Sequence, residues 1–193
     1  MMSKHNVGRF LLVALFACCN PAMADTMLKV ITNNGVVAFV ADDQWPVISM
    51  QSKLPIAAVV FQLPNAADEN TPHSTNLVLK LYDQNSEKGK SAYAAPVPHY
   101  GTAALQLEKW QGWTISRQET QTNGVPYTIL DAKRPDVGDV SASARLAWPH
   151  LAANPRSYDR DVELRFRQFL QSVQGKPGKY EPQEGEVVRR PAR

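Results

Sequence analysis

Cysteine is nearly missing from this chain: its two thiols, Cys18 and Cys19, both fall within the first two dozen residues. Once that stretch is cleaved, no disulfide staple, Cys nucleophile or thiolate metal site is left, and stability rests on packing. Strong charge of either sign is lacking too. The 21 Lys and Arg face 18 Asp and Glu, and Lys4 and Arg9 belong to the same N-terminal stretch, so the remainder is close to neutral. Such a surface has no basic stripe, which argues against nucleic acid as a partner. The apolar run Phe10 to Cys18 is about half the roughly 20 residues a membrane-spanning helix needs, so no transmembrane segment is expected in the mature chain.

What is present at the N-terminus has the parts of a secretory signal peptide: Lys4 and Arg9, the apolar run, then Ala22-Met23-Ala24. Cleavage between Ala24 and Asp25 follows, which places the mature protein in the periplasm or outside the cell. Leu15-Phe16-Ala17-Cys18 partly resembles a bacterial lipobox, and the alternative is a lipoprotein anchored at Cys18. Phe16 fits that pattern poorly, because its position usually takes a small or β-branched residue. The length predicts one α+β domain over 25–174 and a disordered tail over 175–193, where three prolines and almost no apolar residues occur.

Strand patterns dominate the domain. Met27 to Thr32 and Val36 to Val40 flank Asn33-Asn34-Gly35, an Asn-Gly hairpin signal. Val47 to Met50 and Ile56 to Leu63 follow, the second so continuously apolar that burial on both faces is expected. Thr75 to Tyr82 is another strand, after a polar loop from Pro64 to Ser74. Ser86 to Ala95 and Thr102 to Gln111 read as helices, the latter rich in helix formers. Trp113 to Gln121, Val125 to Lys133 and Val140 to Trp148, separated by Asn123-Gly124 and Asp136 to Asp139, make an antiparallel meander. Val162, Phe166, Phe169, Leu170 and Val173 then recur at helical spacing and must cover a sheet, with Leu164 on the opposite face.

The early hairpin with Trp45-Pro46, the strand Asn76 to Tyr82, the crossover, the meander from Trp113 and the terminal helix Asp161 to Val173 together resemble the PsbP-like fold family. That family includes the extrinsic photosystem protein, a eukaryotic Ran-binding protein and many bacterial envelope proteins. The resemblance spans most of residues 28–174 and rests on element order and aromatic placement. It implies an antiparallel β-sheet flanked by helices in a PsbP-like sandwich, serving mainly as a scaffold for binding proteins, with no active site shared across members.

No residue pattern declares a chemistry. His73, His99 and His150 each follow proline and read as loop residues, without the short spacing of a metal site. Asp42, Asp43, Asp136 and Asp139 read as turn formers rather than calcium ligands. The serines lie in no nucleophile elbow. Trp110 and Trp113 read as core packing rather than a sugar platform. No catalytic, cofactor-binding or metal residue is therefore named, and no cofactor is expected. The expected function is a non-enzymatic periplasmic protein that binds another protein, a toxin or an envelope protein. Within that class an immunity or inhibitor protein against an envelope-targeting type VI secretion effector comes first, and an envelope assembly accessory second. The partner-binding residues expected are Asp68, Glu69 and His73 of the polar loop, with Leu164. The competing classes are a peptidoglycan-acting enzyme with carboxylates assembled by the fold, and a small-ligand carrier.

Overall fold

The computed structural model describes residues 25–32, 35–42, 44–51, 54–63, 73–100 and 105–178. Among them are ten strands and two helices. In chain order they are β1 (Asp25–Ile31), β2 (Gly35–Asp42), β3 (Val47–Gln51), β4 (Ile56–Leu63), β5 (Thr75–Asp83), α1 (Glu87–Ala94), β6 (Gln106–Trp110), β7 (Trp113–Thr122), β8 (Val125–Val137), β9 (Val140–Pro149), α2 (Tyr158–Ser172) and β10 (Gln174–Pro177). A seven-stranded antiparallel sheet runs β3-β4-β5-β9-β8-β7-β6, and a three-stranded one runs β1-β2-β10. The fold is therefore sheet-dominated. This corrects the expected α+β fold, in which helices flank one antiparallel sheet.

Two segments account for much of the difference. The described part of the helix expected over Thr102 to Gln111 is the edge strand β6, whose Trp110 pairs with Trp113 of β7. Between them Gln111 and Gly112 have φ of 46° and 82°. Two successive positive φ values are what a two-residue hairpin turn of matching twist requires, and they override the helix propensity of Leu107, Glu108 and Lys109. The second segment is the head of the expected tail. Gln174–Pro177 forms β10 and pairs with Ala38 to Gly35 of β2. Strand β4 is also corrected, because it alternates: Ala57, Val59, Phe61 and Leu63 are buried, whereas Gln62 on its other face is exposed.

Alternation gives the large sheet an inner and an outer face. Phe61, Leu79, Leu146, Leu130 and Trp113 of its central strands face inward. Helix α2 lies over them with Val162, Phe166, Phe169 and Leu170 buried, the stripe the spacing predicted, and Leu164 is 54% exposed. The Trp113 indole donates to the carbonyl of Leu170 at 3.2 Å, fixing the helix end on the sheet. Val37, Phe39 and Ala41 of β2 complete the core, so the small sheet packs beside α2.

Candidate functional site

On the outer face the strands carry polar side chains in register, and a short stretch of chain crosses above them. Asp131 of β8 sits opposite Arg145 of β9. The two form a bidentate ion pair at 2.7 and 3.0 Å, with Asp131 12% exposed. The Asp131 bond raises the guanidinium's pKa further above its ordinary value against the cost of burial. Arg145 also donates to the Tyr100 hydroxyl at 3.2 Å and stands over that ring. Lys133 of β8 donates to the carbonyls of Tyr93 and Ala95 at 2.7 and 2.6 Å, where α1 ends. A cation there offsets the negative end of the helix. Burial lowers the lysine's pKa, with Asp131 opposing. Gln118 of β7 donates to the Pro98 carbonyl and accepts from the Tyr100 amide, both at 2.9 Å. Three adjacent strands thus hold residues 93–100 across the sheet.

Gln118→Ala removes both bonds to this crossing segment, each worth about 0.5–1.5 kcal/mol. Hydrogen exchange at the Tyr100 amide is expected to accelerate several-fold, with global stability lowered by about 1–3 kcal/mol. Unchanged exchange there would mean that Gln118 does not tether the segment.

The crossing segment leaves a cleft on either side. One, of about 350 Å³, lies between α1 and strands β5, β8 and β9. The other, of about 410 Å³, lies toward β6 and β7 and is walled by Tyr93, Leu105, Leu107 and Thr114. Val97, Asp131 and Lys133 border both.

The edges of the large sheet differ in character. Strand β6 carries Glu108 and Lys109, and Arg167 of α2 bonds Glu108 at 2.9 and 2.8 Å, holding its carboxyl below the usual carboxylate range. Charge on an edge discourages another strand from adding to it. Strand β3, Val-Ile-Ser-Met-Gln, has no charged residue, and all five residues are exposed. Val47, Ile48 and Met50 stand 42%, 54% and 54% open. Its outer edge, unpaired among the described strands, offers backbone donors and acceptors beside apolar side chains.

A third cluster, on the inner side near the start of α2, was not foreseen. His150 contacts the Thr128 hydroxyl through Nε2 at 2.8 Å and Asp159 through Nδ1 at 3.2 Å. The Thr128 hydroxyl donates to Glu119 at 2.7 Å, and the Trp148 indole donates to Asp159 at 2.9 Å. The order hydroxyl, imidazole, carboxylate is that of a hydrolytic triad. Thr128, however, is fully buried and commits its proton to Glu119, so no substrate carbonyl can reach its oxygen. The cluster instead clamps the first turn of α2 to β7, β8 and β9. The two carboxylates that converge on it, Glu119 and Asp159, are 59% and 52% exposed. Of the shielded carboxylates, Asp131 is committed to Arg145, and the buried Asp83 accepts from the Asn85 amide at 2.8 Å.

Of the residues expected to meet a partner, His73 and Leu164 are among the described residues, and they lie on opposite sides of the large sheet. Asp68 and Glu69 lie outside the described residues, as do Ala24 and the expected leader before it, and Asp25 opens β1. His73 Nδ1 is 2.9 Å from the Tyr127 hydroxyl, on the outer side of β8. Leu164 lies on the solvent side of α2, across the sheet from it. His99 is exposed, and no group of three metal-binding side chains occurs among the described residues. No helix among them is long and apolar enough to cross a membrane. No family model matches the chain, and no curated protein matches it.

Proposed function

We propose that this chain is a non-enzymatic exported protein that binds another protein, and that it takes an extended segment of that partner along the β3 edge. The exposed, uncharged β3 carries this reading. Strand addition draws affinity from main-chain hydrogen bonds and specificity from the side chains that alternate beside them. The N-terminal leader supports a site of action in the periplasm or beyond. Within the class, an immunity or inhibitor protein against an envelope-targeting toxin fits the size and the export signal, and an envelope assembly accessory is the companion reading.

The test is capture of partners from periplasm and secreted effectors by residues 25–193, with the Ile48→Lys/Met50→Lys double variant in parallel. Both positions are more than half exposed, so the variant keeps its fold, each surface change costing within about 0.5 kcal/mol. The wild type is expected to recover one toxin or envelope protein at near-equal ratio and micromolar or tighter affinity, about 8 kcal/mol. The variant is expected to lose at least tenfold in affinity. Recovery of nothing, or equal recovery by both forms, would overturn the proposal.

A further inference from the structure

The smaller outer-face cleft has the make-up of a ligand site, independent of β3 and its partner. Its volume of about 350 Å³ falls at the lower end of the roughly 300–1,000 Å³ of small-molecule pockets. Val78, Tyr82, Ala92, Pro96 and Val97 give it apolar walls. Three cations reach it, Lys80, Lys133 and Arg145, against one carboxylate, Asp131. Asp131 is spent on Arg145 in the bidentate pair. Lys133 bonds only backbone carbonyls, those of Tyr93 and Ala95, and makes no ion pair among the described residues. Lys80 lies exposed on β5 and makes no ion pair among them either. The Tyr82 and Ser143 hydroxyls bond each other at 2.9 Å, which uses one proton and leaves the second hydroxyl able to donate outward.

We propose that this cleft binds a small organic anion, a carboxylate or similar acid on a short apolar or aromatic body. The acid group would lie between Lys80 and Lys133, and its body against Val78, Tyr82 and Val97. A partly buried ammonium bonded to neutral carbonyls and set over the Tyr93 ring, whose nearby carboxylate Asp131 is spent on Arg145, has lost hydration without gaining an ion pair, and an incoming anion supplies one. The negative end of α1 does not oppose this, because Lys133 already covers the terminal carbonyls.

Three probes with one body and different heads decide the matter: phenylbutyrate, phenylbutanol and phenylbutylamine, each titrated into residues 25–193 while amide chemical shifts are followed. The acid is expected to give saturable shifts at Val78, Lys80, Ala92 and Ser143, to bind more tightly than the alcohol, and to exceed the amine by about tenfold or more, 1.4 kcal/mol. Lys80→Glu should weaken the acid about tenfold and leave the alcohol nearly unchanged, and Val78→Phe, which fills the cleft, should weaken both. Absence of saturable shifts at millimolar acid, equal binding of acid and amine, or shifts confined to another surface would overturn the assignment.

Discussion

Phe169→Ala lowers the unfolding free energy by about 3–5 kcal/mol, the usual cost of deleting a buried phenylalanine ring. Phe169 is 2% exposed, and its ring meets those of Phe39, Phe61 and Trp45 at 5.8, 5.9 and 6.4 Å. Those three rings come from β2, β4 and the turn before β3, so one side chain of α2 ties the helix to both sheets. Truncation forfeits the transfer free energy of the ring and opens a cavity that three surrounding elements cannot collapse into. Urea unfolding should show a fall in midpoint with unchanged slope, the mark of lost stability without a changed unfolded state. Leu164→Ala on the same helix, at a side chain 54% exposed, should stay within about 0.5 kcal/mol. A loss below about 1 kcal/mol for Phe169→Ala would show that α2 does not join the sheets in this way.

Gly175→Ala is the second large effect, and it acts through backbone. A Cβ at Gly175 would stand inside contact distance of the carbonyl carbon and oxygen of Val137 and the nitrogen of Gly138. No flexible side chain is available to give way there. Strand β10 would have to back off from the turn joining β8 and β9, or that turn would have to open. The expected cost is about 1–3 kcal/mol, the range for overpacked sites, with the upper end favoured because backbone meets backbone. Amides of Gln174–Lys176 and their partners on β2 should lose protection together, whereas β4 and β5 keep theirs. Wild-type stability in this variant would mean that β10 does not approach the turn.

That second prediction falls where local patterns say least. Gln174–Pro177 has no apolar side chain to set a period, and it joins the small sheet by backbone pairing and a close approach that only glycine permits. Edge strand β6 was hidden for a related reason. Four of its five residues are exposed, so burial imposes no alternation, and Leu107-Glu108-Lys109 reads as a helix. Trp110-Gln111-Gly112-Trp113 held the hairpin signal, but Gln-Gly is a weaker cue than the Asn123-Gly124 that marked the next turn. Where one face is buried the pattern was legible: the β5, β7 and β9 segments and the stripe of α2 stand where their periodicity put them, and β8 starts where expected but runs past Lys133 to Val137.

The candidate sites were far less legible, because the fold assembles them from distant positions. Lys80, Lys133 and Arg145 share a cleft although 65 positions of chain separate the first from the last. Their alternation marks a solvent-side strand face and says nothing of the segment above it. Thr128, His150 and Asp159 meet in the same way, from β8, the residue after β9 and the first turn of α2. The bareness of β3 can be read in Val47 to Gln51, which has no charge, but only the strand order puts it at an edge.

Hydrogen exchange across residues 47–51, with and without the captured partner, tests that edge most directly. Added strand pairing predicts slowed exchange at the β3 amides that point away from β4, with the small sheet unchanged. Exchange along β3 that stays as fast in the complex, with protection appearing at another surface, would contradict the account.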